Sequence, residues 1–289
     1  MYDIICNPVS GKGSSLAALE KVENILKAGN IPYEVHLTEK PMHATELTRE
    51  INRKPHAKLI VMGGDGTLNE VLNGIENFDT LDLGIISCGT GNDFIRAAKL
   101  PSDPAEALEL ILKGNVGHFD YLQLGARRAL NCAGAGMDVD VLVRYSTMKA
   151  FKGKAKYYAS LIDTLIKCKF HKVSIEIDGK TMERSVFMIA AANGTCIGGG
   201  MAISPHSVVD DGKMNVVFIN EMPKRKIPGM LIKFLSGGKH IDSPFTEEYL
   251  TDKVVIRVLD EGLTEVDGEV FDNKVIDAEL VTGKLRVFR

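Results

Sequence analysis

Asp65 and Asp93 each stand in a glycine turn, GGDGT (63–67) and CGTGNDF (88–94), and NPVSGKG (7–13) is a third stretch of this kind. Glycine lets the backbone come close to a phosphate and aim its N–H groups at it, and the first turn of a following helix favours negative charge. A carboxylate beside such a turn would repel phosphate unless a cation stood between them, and Mg2+, which takes oxygen ligands, fills that role. Any one of these stretches could be a plain strand-to-helix turn with an Asp or Thr cap. Three together predict a polyphosphate site.

The spacing excludes two familiar phosphate motifs. Cys6 stands where a P-loop ending in Gly11-Lys12 needs its first glycine, and Gly13 stands where it needs Ser or Thr. Neither Gly64-Asp65-Gly66 nor Gly89-Thr90-Gly91 is followed by a glycine three residues on. The dinucleotide fingerprint therefore fails, and a nicotinamide oxidoreductase is disfavoured.

The elements that must hold these turns follow two rhythms. DIICN (3–7), YEVHLT (33–38), KLIVM (58–62) and LGIIS (83–87) are short β-rich runs separated by helical spacing, such as Leu16, Leu19, Val22 and Leu26 between a Ser14 or Ser15 cap and Gly29. Strands this apolar predict a doubly wound parallel sheet covered by helices, with the three turns at the carboxyl edge where ligands bind. Beyond about residue 123 strands dominate: 171–193 around Asp178-Gly179, then MNVVFI (214–219), KVVIRVL (253–259), LTEVDGEVF (263–271) and KLRVF (284–288). Helical patterns at about 141–168 and 225–236 interrupt them. The sequence thus predicts an α/β nucleotide-binding domain over 1–123 and a mainly antiparallel β-rich domain over 124–289, whose last strand could return to the first.

Composition narrows the classes. The 289 residues are 45% hydrophobic and 25% charged, the averages of soluble globular chains, and a net charge of −3 gives no chain-wide nucleic-acid footprint. Five scattered cysteines without C-x-x-C spacing suggest neither zinc nor a disulfide framework and fit a reducing cytoplasm. No apolar run reaches the length of a membrane span, so membrane contact is expected to be peripheral.

GGDGTLNEVLNG (63–74), taken with NPVSGKG, GTGNDF, SPHSVVDDGKMNVV (204–217) and EVDGE (265–269), resembles the diacylglycerol kinase-like lipid kinases, relatives of sphingosine kinases and NAD kinases. The resemblance spans nearly the whole chain. It implies an N-terminal NAD kinase/diacylglycerol kinase-like domain, a C-terminal β-sandwich and an active site in the cleft between them. The implied reaction moves the γ-phosphate of ATP, with Mg2+, to a lipid hydroxyl. By position it implies ATP contacts from Asn7, Pro8, Val9, Ser10 and Gly11, and from Thr38 and Thr90. Further contacts come from Gly63, Gly64, Asp65, Gly66, Thr67, Leu68 and Asn69. Asp65 would act near metal and phosphates, and Asp93 would face the acceptor or the metal. Asp267 and Glu269 match the catalytic carboxylates, one of which would deprotonate the hydroxyl. The family's structural Mg2+ site maps onto the Asp211 side chain and the carbonyls of Val208 and Lys213. Family members are often homodimers.

Read without that resemblance, the later motifs stay open. Asp-Gly recurs at 178–179, 211–212 and 267–268, and a hairpin turn explains each. Glu265, Asp267 and Glu269 alternate, so wherever the chain stays extended they share a face, and such closeness calls for a cation, a proton or a substrate hydroxyl. The basic, apolar segments 147–170 and 223–235 fit surface helices with one face in the core, or stretches lying on an anionic membrane. The competing functions are an NAD kinase or other small-molecule kinase, and a non-catalytic nucleotide-binding regulator. NPVSGKG and DDGK favour a lipid, and the intact Asp65, Asp93, Asp267 and Glu269 favour catalysis.

Overall fold

A computed structural model describes residues 1–149 and 153–289, without the side chains of 153–155, 157 and 158. The chain divides into two units: Met1–Tyr121 with Val208–Gly212 and Val281–Arg289, and Leu122–Ser207 with Lys213–Leu280.

In the first unit β1 (Tyr2–Cys6), β2 (Tyr33–Leu37), β3 (Ala57–Gly63) and β4 (Leu81–Ser87) run parallel in the order β2-β1-β3-β4. Between and after them come α1 (Ser14–Ala28), α2 (His43–Asn52), α3 (Asp65–Gly74), α4 (Asp93–Ala97) and α5 (Pro104–Lys113). The three inner strands are buried along nearly their whole length, as the apolar runs require of strands covered on both faces. Ile4, Ile60 and Ile86 pack there with Val22 and Leu26 of α1 and Leu108 and Ile111 of α5. Val287, near the chain's end, pairs parallel with Leu83 of β4.

The second unit begins inside β5 (Val116–Leu124). There follow β6 (Arg127–Ala129), β7 (Cys132–Gly136), α6 (Met137–Thr147), α7 (Gly153–Ile166), β8 (His171–Ile177), β9 (Lys180–Ala192), β10 (Cys196–Ile197), β11 (Met201–Ala202) and β12 (Met214–Asn220). The chain ends with α8 (Ile227–Leu235), β13 (Thr246–Thr251), β14 (Lys253–Val258), β15 (Thr264–Val266), β16 (Glu269–Phe271) and β17 (Val275–Phe288). The antiparallel ladder runs β16-β15-β7-β9-β8-β14-β17, and β12 pairs with both β9 and β13. Alternate residues of β9 and β12 face two cores. Ile189 and Phe218 join Val173, Ile175, Val254 and Ile256 in one, while Ala190 and Ile219 join Met137, Leu161, Met230 and Phe234 of the helices in the other. The result is an antiparallel β-sandwich backed by a helical layer.

Four details depart from the sequence reading. The helical pattern at 141–168 is two helices, α6 starting earlier at Met137 and ending before Met148. Ser15 does not cap α1; its hydroxyl donates to the Asn7 carbonyl at 2.7 Å. β7 was not foreseen, because Cys-Ala-Gly-Ala-Gly lacks every strand-favouring residue. It is small because a Cβ on Gly134 would stand 2.8 Å from the Ile189 carbonyl oxygen. Finally, 263–271 is a hairpin and not one extended run: Glu265 pairs with Val270 and Val266 with Glu269, with Asp267 (φ 46°) and Gly268 (φ 86°) in the turn. Glu265 and Glu269 therefore lie on opposite faces. Of the basic segment 147–170, Phe151 and Lys152 and the side chains of Lys154, Tyr157 and Tyr158 lie outside the described residues. Among the described residues no helix is long and apolar enough to cross a membrane.

Candidate active site

Parallel strands in register end at one edge, so the turns after β1, β3 and β4 are neighbours. Their backbones touch. At Gly11 (φ 58°) a Cβ would stand 2.1 Å from the Cys88 carbonyl oxygen, and on Gly89 it would stand 2.5 Å from Gly64 Cα. Asn7 Nδ2 donates to Thr67 Oγ1 at 3.0 Å, and Asn7 Oδ1 accepts the Val9 N–H at 3.1 Å. The Asp65 carboxylate accepts the N–H groups of Asn92 (2.6 Å) and Asp93 (2.8 Å), which fixes the third turn to the start of α3. Buried Asp93 pairs with Arg96 at 2.8 Å.

Gly66 stands apart: like Gly13 it has open space at its Cβ position, but without the left-handed φ of 93° that Gly13 adopts. It lies in α3, is exposed, and has nothing within 4 Å of where its Cβ would be. Packing does not demand a glycine there, and glycine costs a helix about 1 kcal/mol relative to alanine. A pocket of about 350 Å³ is lined by Asn7, Pro8, Val9, Thr38 and Thr67, together with Glu39, Lys40, Pro41 and Glu70. Gly63, Gly64, Asp65 and Leu68 line a much smaller cavity with Asn92. Of the remaining expected contacts, Ser10 donates its N–H to the Asn7 carbonyl, Thr90 is exposed in its turn, and Asn69 Oδ1 accepts from Asn73 Nδ2.

Val208, Asp211 and Lys213 are exposed. Their segment is anchored by Asp120, which the sequence reading passed over. The Asp120 N–H donates to the Val209 carbonyl (2.8 Å), and its carboxylate accepts the N–H groups of Gly212 (2.8 Å) and Gly283 (2.6 Å). Burial pushes the Asp120 carboxyl up, those two N–H groups oppose the shift, and Asp211 and Asp210 add to it. Asp210 pairs with Arg289 at 2.7 Å. Carboxylate oxygens beside backbone carbonyls are the kind of donor set that suits Mg2+. Asp3, Glu34 and His36 also converge within 4.8 Å, but Lys54 Nζ already donates to both Asp3 oxygens at 2.7 Å.

In the second unit Asp267 occupies the turn of the β15–β16 hairpin. Its carboxylate accepts the N–H groups of Leu130 (2.8 Å), Asn131 (2.9 Å) and Cys132 (3.0 Å), while its own N–H donates to the Cys132 carbonyl (3.0 Å). These three N–H groups fix the orientation of the carboxylate. Glu269 is exposed. Glu265 is buried: its Oε2 accepts the Gly268 N–H at 2.7 Å, and its Oε1 lies 3.4 Å from Cys132 Sγ. Burial, then the charge of Asp138, pushes Glu265 up to about 8. Burial likewise pushes Asp138 up to about 6.

The pattern of the diacylglycerol kinase catalytic domain matches residues 2–124, and that of the YegS C-terminal NAD kinase beta sandwich-like domain matches residues 131–289. The diacylglycerol kinase of Staphylococcus carnosus is 30% identical over 268 residues, 92% of this chain and 87% of that one. A candidate diacylglycerol kinase structure from Bacillus anthracis superposes with a TM-score of 0.82 at 24% identity, covering 99% of this chain and 94% of that one. The NAD kinase of Archaeoglobus fulgidus, solved in complex with ATP, shares the fold more distantly, with a TM-score of 0.56 at 16% identity over 100% of this chain and 94% of its own. The motifs, both halves of the fold and these likenesses agree: the chain belongs to the diacylglycerol kinase family.

Proposed function

We propose that this family member is an ATP-dependent lipid kinase whose first acceptor to test is diacylglycerol. The observation that carries the reading is the Asp65 clamp: one carboxylate ties two glycine turns together at the sheet edge, where Gly66 is bare and the next residue, Thr67, lines a pocket. ATP phosphates would lie against the N–H groups of Gly11, Gly64, Gly66, Thr67 and Thr90, with the Ser10 side chain beside them. Asn7, Pro8, Val9 and Thr38 would meet the rest of the nucleotide, and Gly63, Leu68 and Asn69 would shape the floor. Backbone donors placed in advance suit phosphoryl transfer, which asks mainly for positioning and charge neutralisation.

Mg2+ would neutralise the phosphates. The Asp211 carboxylate and the Val208 and Lys213 carbonyls would hold a structural Mg2+, with Asp120 fixing the segment. Asp65 serves ATP by fixing the turn at 88–94, and Asp93 would face the acceptor. In the transfer the bond from the γ-phosphorus to the bridging oxygen breaks, a bond to the acceptor oxygen forms, and the hydroxyl proton passes to Asp267, with Glu269 as its exposed neighbour. The acceptor would be taken from a membrane surface, and α8 suits that contact. It exposes Ile232 and Leu235, five cations occur between Lys224 and Lys239, and no acid lies between Glu221 and Asp242.

The purified chain should be incubated with labelled ATP, Mg2+ and a panel of diacylglycerol, monoacylglycerol, phosphatidylglycerol, a sphingoid base and NAD. Label in a lipid, abolished by a Mg2+ chelator, is the expected outcome. Label in NAD, or in nothing, would overturn the reading. Sedimentation with anionic vesicles should weaken in Ile232→Ser/Leu235→Ser, and equal binding by both proteins would remove α8 from the membrane contact.

A further inference from the structure

The hairpin that carries Asp267 also carries a carboxyl to which the proposed reaction gives no part. Glu265 is 3% exposed and grips the Gly268 N–H at 2.7 Å, on one side of the turn, while Asp267 grips residues 130–132 on the other. Its second oxygen converges with another acid: a Cβ on Gly134 would stand 3.2 Å from Glu265 Oε1 and 3.2 Å from Asp138 Oδ2. Asp138 Oδ1 is buried and has no hydrogen-bond partner. Among the described residues no Lys or Arg is paired with either acid.

The groups facing this pair are the Cys132 thiol from β7, Asp267 from the turn, and Asp138 and Asp140 from α6. His171 of β8 brings positive charge to the Asp138 side, but it is shared between Asp140 (3.0 Å) and Asp260 (3.2 Å). Glu265 is buried beside a half-buried Asp138, and neither has a counter-ion of its own, so ionising both together is costly and near neutral pH one proton stays. Gly268 N–H needs only a carbonyl oxygen, which an uncharged Glu265 supplies.

We propose that Glu265 is a positioning residue for Asp267: uncharged, it holds the Gly268 N–H within the turn, and on ionising it adds a negative charge beside Asp138 and Asp267 that opens the hairpin. This rests on the reading of Asp267 as the base of the kinase. The upward shifts of Glu265 to about 8 and Asp138 to about 6 place the release at mildly alkaline pH.

The test compares wild type, Glu265→Gln and Glu265→Ala in lipid phosphorylation across neutral and alkaline pH, and in deuterium exchange of the Gly268 amide at each pH. Wild-type kcat should fall above the release point, whereas Glu265→Gln, an uncharged copy, should hold at least about a third of wild-type neutral kcat and keep it in alkali. Glu265→Ala should lose about tenfold or more in kcat with its KM for ATP unchanged. At alkaline pH the Gly268 amide should exchange slowly in Glu265→Gln and faster in wild type. The proposal is overturned if Glu265→Gln is as impaired as Glu265→Ala, or if wild type and Glu265→Gln exchange alike in alkali. A wild type that phosphorylates no lipid at any pH would defeat the kinase reading instead, and the exchange result would judge the Glu265 clamp separately.

Discussion

Asp65 and Asp267 solve the same local problem in different surroundings. Each carboxylate collects backbone N–H groups from a turn far away in sequence, residues 92 and 93 for Asp65 and residues 130 to 132 for Asp267. The acid beside Asp65 is Asp93, which has Arg96 as counter-ion at 2.8 Å. Beside Asp267 stands Glu265, itself next to Asp138, and neither Glu265 nor Asp138 has an ion pair among the described residues. The first clamp thus has a cation next to its neighbouring acid and holds loops together, whereas the second has a buried acid, Glu265, next to it. One carboxylate geometry can serve as a rivet or as a poised base, depending on which charges are buried next to it.

The largest effects should come from removing the charge at each clamp. Asp267→Asn should keep a native far-UV circular dichroism spectrum and lose roughly 10²–10⁴-fold in kcat, the range of a positioned general base. Asp65→Asn should lose activity mainly through a raised KM for ATP, because an amide offers only one acceptor to the two N–H groups of 92 and 93 and turns an NH2 toward the other. If both variants change kcat and KM alike, the contrast between rivet and base fails.

Glycine substitutions sharpen the same contrast within the first unit. Gly11→Ala puts a Cβ 2.1 Å from the Cys88 carbonyl oxygen at φ 58°, and it should destabilise by about 2–4 kcal/mol from the left-handed backbone and the overlap. Gly66→Ala meets nothing within 4 Å, so its thermal midpoint should hold or rise while its KM for ATP increases. A Gly66→Ala protein that binds ATP normally would show that the bare space serves no phosphate.

Much of this was legible in local spacing. The three glycine turns, the parallel strands and the 178–179 hairpin each rest on residues a few positions apart, where periodicity and turn chemistry act. The clamps were not legible, because their donors are backbone N–H groups 27 or more positions away that carry no residue signature. Asp120 left a faint trace, one acid amid the apolar pattern of HFDYL. Cys132 and Asp138 left none, since β7 reads as small residues until the facing strand is known. For Glu265 the spacing leaves two options, a face shared with Glu269 in an extended run or a hairpin at Asp-Gly, and the chain takes the hairpin.

The smallest expected effect is on stability and follows from titration. Glu265 and Asp138 are raised to about 8 and about 6 in the fold, from 4.5 and 3.8. Between the unfolded and folded values the native state keeps protons that the unfolded chain releases, so stability falls as pH rises. His171, raised from 6.5 to about 9 chiefly by its bond to Asp140, acts in the same sense: its stabilisation is complete below 6.5 and lost as pH climbs through 9. In the first unit Asp120 is also raised, but the Cys6 and Cys88 thiols, pushed to about 11 by burial, titrate above this window. Hydrogen exchange, resolved by peptide and corrected for its intrinsic pH dependence, should therefore show protection declining from acid to alkali more steeply in 130–193 and 253–271 than in 1–87. Glu265→Gln should flatten the decline in the second unit and leave the first unchanged, because it removes the one acid whose proton the Asp267 hairpin depends on. Equal slopes in both units, or a slope in the second unit that Glu265→Gln does not alter, would mean that the buried acid beside Asp267 finds compensation elsewhere and that the two clamps are alike after all.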